Sequence, residues 1–174
     1  FSSAARGGSG AAQCAGIYAA SLLALQEAAE HGCQQVVFLD AVERTWVEEL
    51  GGMNLFFVHA DGTLVTPELT GTILEGITRS SILTLAAEQG LDVVERKVSI
   101  TEWQAAAAAG EIREVFACGT AAVVTPVARL VWDDGDVTVG DGRPGPVTLG
   151  LRQALVDLQY GRVADRHGWM HKIR

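Results

Sequence analysis

Apolar residues recur at helical spacing in four stretches of this chain, which predicts four α-helices. The stretches are 15–31, 76–89, 101–110 and 147–160. Glycine comes just after or at the end of the first three, where it is typical of a helix stop.

The first helix carries its apolar stripe at Tyr18, Leu22, Leu25 and Ala29. The inward face of the second is expected to contain Ile77, Ile82, Leu85 and Ala86. The third is expected to open with a capping box at 101–104.

Shorter apolar runs between these helices predict β-strands. They cover 35–40, 46–49, 53–59, 63–65, 92–99, 114–119 and 122–133. Asp61-Gly62 and Asp134-Gly135 are suited to tight turns between neighbouring strands. Because helices and strands interleave without a regular repeat, the pattern predicts an α/β or mixed α+β domain.

Length and composition limit the possible classes of protein. A chain of 174 residues with 48% hydrophobic and 20% charged residues is enough for one well-buried domain. Residues 1–12 are small and glycine-rich, so we expect a linker there and the domain at 13–174. The 21 acidic and 13 basic residues give a net charge of −8 without a basic cluster. This balance argues against nucleic acid or an anionic membrane as partner.

Other features concern location and processing. No apolar run reaches spanning length, and Phe1-Ser2-Ser3 does not resemble the start of a signal peptide. The chain does not begin with methionine, which suggests a fragment, a processed chain or a missing leader. Three unevenly spaced cysteines favour reduced thiols and a cytoplasmic location. The four histidines are dispersed and have no metal-ligand spacing.

Four glycine- or glutamate-containing motifs stand out between the apolar runs, followed by a Gly-Trp-Met tail. They lie at 7–18, 47–57, 69–79 and 115–122, and the tail is at 168–170. In the third motif, Ile77 and Thr78 follow Gly76 at a helix start, where backbone N–H groups and the helix dipole favour an anion. In the fourth, Gly119 allows close backbone approach and Thr120 adds a hydroxyl. Each motif alone also fits an ordinary helix start or strand-end turn.

Taken in order, these motifs resemble those of branched-chain aminotransferases, enzymes of fold type IV that use pyridoxal 5′-phosphate (PLP). The resemblance runs from Gly7 to about Met170 and implies the larger, C-terminal domain of that fold. It implies that Glu49 faces the pyridine nitrogen and keeps it protonated, and that Tyr18 lies beside the cofactor. The phosphate would be held by Ile77, Thr78 and Thr120, and the substrate by Gly119 and Ala121.

Two neighbours of these positions receive simpler interpretations. Strand alternation puts Glu48 on the face opposite Glu49, so we expect it to be a solvated surface glutamate. Cys118 is expected to act as a small buried hydrophobic residue and not as a nucleophile.

The first motif departs from the family at the residue that matters most. Gln13 stands where the family has the lysine that binds PLP as a Schiff base, and the only lysines are Lys97 and Lys172. An amide nitrogen is neither nucleophilic nor basic at neutral pH. Gln13 therefore cannot replace the lysine in forming the Schiff base or in transferring the proton. Ile17 stands in place of an asparagine, and Glu75 in place of a proline. We therefore expect no covalently bound cofactor and only weak binding of PLP or another phosphate ligand.

Three functional hypotheses follow. The first is an aminotransferase homologue repurposed to bind or transform a small anionic or carbonyl metabolite without a Schiff base. The second is a non-catalytic subunit that completes a partner chain's site, and the third is a genuine branched-chain aminotransferase with an atypical residue 13. Because family members pair through this domain, we expect a homodimer or a complex with a separate N-terminal-domain chain.

Overall fold

The computed structural model describes residues 1–12, 14–171 and 173, without the side chains at 17 and 20. Its helices are α1 (Ala15–Glu30), α2 (Ile77–Glu88), α3 (Ile100–Ala108) and α4 (Pro146–Gln159), and a short 3₁₀ turn covers Gly10–Ala12. Its strands are β1 (Val37–Leu39), β2 (Val47–Leu50), β3 (Met53–His59), β4 (Thr63–Thr66), β5 (Asp92–Glu95), β6 (Ile112–Gly119), β7 (Val123–Pro126), β8 (Arg129–Trp132) and β9 (Gly135–Thr138). The mixed α/β architecture agrees with the sequence pattern.

A seven-stranded, mostly antiparallel sheet organises the domain around β3. One edge of β3 pairs with β6 along almost its whole length, and the other pairs with β2 near its start and with β4 near its end. β4 and β5 pair in parallel, and α2 connects them. β8 and β9 form a separate hairpin.

Both faces of the sheet are covered by apolar side chains. On one face, α3 inserts Trp103, whose ring meets Phe57 edge-on at 5.1 Å. On the other face, α2 and α4 pack over Phe56 and Phe116, whose rings stack 5.0 Å apart. The second face also carries Glu49 of β2, because its partner Asn54 lies two residues before Phe56 on β3. Among the described residues, no helix combines the length and apolar character needed to cross a bilayer.

Two helix starts differ from the sequence prediction. Ile77 is 86% exposed instead of inward, because it is the first residue of α2, whereas Ile82, Leu85 and Ala86 are buried as predicted. The cap of α3 is Ser99, whose hydroxyl accepts from the amide of Glu102, and not a box at 101–104.

The run at 122–133 and the face of α1 also differ from the prediction. The run splits into two strands, because the chain leaves the large sheet after Pro126 and enters the separate β8–β9 hairpin. The apolar stripe of α1 is displaced, since Ser21 and Ala24 are buried while Leu22 is 67% exposed.

Candidate functional site

Glu49 is a buried carboxyl at the centre of the candidate site. It lies on β2 with 8% of its surface exposed, and its Oε1 accepts a hydrogen bond from the amide of Leu74 at 3.0 Å. Burial raises the pKa of Glu49 to about 7, the Leu74 amide opposes this rise, and the charge of Glu48 adds to it. A carboxyl with such a pKa can hold or release a proton near neutrality.

A row of paired residues crosses the sheet at the level of Glu49. Glu49 pairs with Asn54 on β3, and Asn54 pairs with Cys118 on β6. Directly paired residues of neighbouring strands direct their side chains to the same face. The row therefore brings together the 47–57 and 115–122 motifs, which lie far apart along the chain.

Asn54 connects this row to the third motif. Its Nδ2 donates to the carbonyl of Leu74 at 3.1 Å, while the amide of Leu74 is held by Glu49. A side chain at Gly76 would collide with Oδ1 of Asn54, so the close approach requires glycine. Asn54 was not among the predicted site residues, although an amide side chain inside an apolar strand is a signal of a buried hydrogen bond.

The start of α2 is open to an anion. Gly76 is its N-cap, with extended backbone and no side-chain cap among the described residues, so the amides of Ile77 and Thr78 have no partner within the helix. Such amides and the positive end of the helix dipole attract a phosphate. The carboxylate of Glu75, which is exposed just before the cap, opposes that attraction.

Tyr18 and Glu49 line one small cavity. Ser3, Ala4, Gly10 and Thr72 also contribute to it, and its volume is about 10 Å³, room for at most one water molecule. Gly10 packs directly against the backbone of Thr72. Tyr18 is half exposed on α1 rather than in the core.

The β6–β7 turn carries the remaining predicted residues. Gly119 is half-buried against Met53, whereas Thr120 and Ala121 are exposed. Cys118 is fully buried, and burial raises its pKa to about 12, so its thiol stays protonated. This agrees with its interpretation as a small hydrophobic residue.

The prediction for Glu48 is wrong. Its side chain is only 4% exposed, and it accepts a hydrogen bond from the hydroxyl of Thr72. The cause is a β-bulge, because Phe38 pairs with Glu49 whereas the next residue, Leu39, pairs with Val47. The extra residue in β2 interrupts the alternation from which the solvated position was inferred.

The chemistry of Glu49 and of the start of α2 suits PLP, whereas the cavity beside Glu49 is too small for the ring. Glu49 is suited to a protonated pyridine nitrogen, and the start of α2 to a phosphate. A ring beside Glu49 would have to displace the segment that contributes Ser3, Ala4 and Gly10. Gln13 lies outside the described residues, so its interpretation rests on the sequence.

Comparisons with known proteins show the family and the fold of this chain. Residues 13–130 match the family model of class IV amino-transferases. A branched-chain-amino-acid aminotransferase of Mycolicibacterium smegmatis is 58% identical over 170 residues, which are 96% of this chain and 46% of that protein. The chain therefore spans about half the length of the curated relatives it matches.

Solved structures show the same likeness. A branched-chain amino acid aminotransferase from Escherichia coli superposes with a TM-score of 0.77 at 41% identity, covering 93% of this chain and 50% of that one. The Thermobaculum terrenum enzyme in its PLP form gives a TM-score of 0.74 at 36% identity, covering 88% of this chain and 46% of that one. The fold type expected from the motifs is thus confirmed, and this chain belongs to the class IV aminotransferase family.

Proposed function

We propose that this chain is the cofactor-binding domain of a branched-chain aminotransferase homologue, and that it holds PLP without a covalent bond. The observation that carries the proposal is the buried carboxyl of Glu49, which Leu74 connects to the start of α2. The names of the relatives favour branched-chain amino acids as substrates of the whole protein. Because Gln13 replaces the family lysine in the first motif, the cofactor would be held without a covalent bond.

Four of the predicted residues have a defined task in this proposal. PLP, when bound, supplies an electron sink for the carbon next to the substrate amine. Ionised Glu49 would hold a proton at the pyridine nitrogen, and the positive ring would in turn lower the pKa of Glu49, which burial raises. The amides of Ile77 and Thr78 and the hydroxyl of Thr120 would hold the phosphate.

Gln13 limits the chemistry that this chain can perform. It can donate and accept hydrogen bonds, but it cannot take up the proton that the family lysine moves. General acid–base catalysis contributes roughly 10²–10⁴-fold to rates. We therefore propose that transamination by this chain is slower than that of a lysine-bearing relative by at least about 10²-fold.

A second candidate is a binding or transforming function for another small anionic or carbonyl metabolite. Gln13 and Glu75 favour it together, because one removes the covalent hook and the other weakens the attraction for phosphate. In this case PLP would bind no more tightly than inorganic phosphate. A lysine-less subunit that completes a partner's site is the third candidate.

Assembly, boundaries and location belong to the same proposal. We propose a homodimer that pairs through this domain, with residues 1–12 as the interdomain linker. Ile77, Tyr160 and Leu22 are each at least 67% exposed, and apolar surface of this kind favours association. The uneven spacing of the three cysteines supports reduced thiols and, with them, a cytoplasmic location.

Equilibrium titration with PLP, followed by intrinsic tryptophan fluorescence, tests the proposal. Glu49→Ala should weaken PLP binding by about 10-fold or more, because a charge-assisted hydrogen bond contributes roughly 1.5–3 kcal/mol. Binding of inorganic phosphate should change little. Glu43→Gln, which removes an exposed carboxyl, is the matched control. Equal PLP affinity of the wild type and Glu49→Ala would refute Glu49 as a cofactor ligand.

A further inference from the structure

Glu48 is a buried carboxyl that no role of the family site explains. One of its oxygens accepts from the hydroxyl of Thr72, which lies 2.7 Å from the hydroxyl of Thr70. Its other oxygen, Oε2, is buried and has no hydrogen-bond partner among the described residues. A buried oxygen without a donor is costly if it is charged, so the position calls for an explanation.

Glu48 and Glu49 line two different cavities that share Thr72. Glu49 lines the small cavity beside Tyr18, whereas Glu48 lines an outer cavity of about 170 Å³. The β-bulge places these consecutive carboxyls so that both are buried, instead of one being in solvent. Two consecutive acids and the hydroxyl of Thr72 therefore line these two cavities.

The outer cavity carries charges of both signs. Besides Glu48, its charged lining residues are Arg6, Asp40, Glu43, Glu68 and Lys97. The carboxylate of Asp40 accepts from four backbone amides, and the ammonium of Lys97 lies 5.0 Å from the centre of the Trp46 ring. Glu48 therefore borders a cavity with polar and charged walls.

We propose that Glu48 is a positioning residue for Glu49, and that the two carboxyls titrate as a coupled pair that shares its last remaining proton. The two residues are consecutive, and the β-bulge leaves both of them buried. Two adjacent buried carboxylates repel each other, so ionisation of one favours the protonated form of the other. The role of Glu49 as a cofactor ligand rests on the proposed function, whereas the coupling between the two carboxyls does not depend on it.

The electrostatic surroundings are consistent with this sharing. Burial raises the pKa of Glu48, and the charge of Asp40 adds to the rise, whereas the Thr72 hydrogen bond and the charge of Arg6 oppose it. The pKa of Glu49 is raised by burial and, in addition, by the charge of Glu48. A cation beside Glu49, such as a protonated pyridine ring, would favour the proton on Glu48.

Carbon-13 NMR titration of the glutamate carboxyls in the purified chain, without cofactor, tests the coupling. Glu48→Gln keeps an oxygen for the Thr72 hydroxyl but removes the charge. In this variant the apparent pKa of Glu49 should fall by about half a pH unit or more. Glu43→Gln removes a carboxyl from the same outer cavity and should leave Glu49 unchanged. An unshifted Glu49 in Glu48→Gln would overturn the proposal.

Thr72→Val provides an independent second test in case Glu48→Gln does not fold. Without the hydroxyl, Glu48 stays protonated over a wider pH range, so the apparent pKa of Glu49 should again fall. An unchanged or raised value would overturn the proposal. Because these titrations use no PLP, failure of the proposed function would appear separately, as a loss of PLP binding with the Glu49 shifts intact.

Discussion

Replacing Glu49 by glutamine should make the stability of this chain less dependent on pH. Glutamine keeps an oxygen that can accept from the amide of Leu74, which lies 3.0 Å from Oε1 of Glu49. It removes the ionisation of a carboxyl that is only 8% exposed. The substitution therefore removes the free energy of charging Glu49 while it keeps an acceptor for the hydrogen bond.

The expected size follows from the shift in pKa. The folded-state pKa of about 7, compared with 4.5 for an unperturbed glutamate, gives about 3 kcal/mol at about 1.36 kcal/mol for each pH unit. Because the folded value is the higher one, the unfolded chain releases this proton first as the pH rises. The contribution of Glu49 to wild-type stability should then fall between about pH 4.5 and about pH 7, and stay level above it. Glu49→Gln lacks this loss.

Urea denaturation of both proteins at about pH 4.5 and about pH 8 measures the effect. The free energy of unfolding of Glu49→Gln minus that of the wild type should be about 3 kcal/mol larger at the higher pH than at the lower, which means that the variant gains stability relative to the wild type. Glu43→Gln, which removes an exposed carboxyl, serves as the control. The same difference between variant and wild type at both pH values would refute a raised pKa at Glu49.

Three further predictions concern stability, anion binding and assembly. Glu114 accepts from the amides of Val147 and Thr148 at the start of α4, so Glu114→Leu should lower the free energy of unfolding in urea by about 2 kcal/mol, and Glu114→Gln by less. Glu75→Pro should tighten inorganic phosphate by about fivefold in calorimetry, since it removes about 1 kcal/mol of repulsion at the start of α2; unchanged affinity would mean that no phosphate site exists there. Sedimentation at micromolar concentration should show a dimer, and a strictly monomeric chain would contradict the proposed assembly.

The helices and strands could be predicted from the sequence, because burial of one face of each element requires apolar residues at regular spacing along the chain. The run at 53–59 forms β3 with the predicted bounds, and the helix predicted at 147–160 is α4 displaced by a single residue. The inward position of Ile77 was wrong, because the first turn of a helix can project beyond the core that its later turns cover. The phase of the residues after it was correct.

The details of the site depend on pairing between strands, which one sequence does not reveal. The β-bulge that buries Glu48 exists only in the register of β1 with β2. Asn54 acquires its role from its distance to Leu74 and from the glycine at position 76. Sequence motifs therefore indicated segments that come together in the fold, whereas the hydrogen bonds from Thr72 to Glu48 and from Leu74 to Glu49 required coordinates.

Borohydride reduction of the chain with equimolar PLP, followed by intact-mass and peptide mass spectrometry, shows whether the cofactor is bound covalently. We predict no pyridoxyl adduct on the wild type and a single adduct on Gln13→Lys. That variant should still transaminate poorly, since Ile17 and Glu75 remain. A wild-type adduct on Lys97 or Lys172 would contradict the claim that this chain binds its cofactor without a covalent bond.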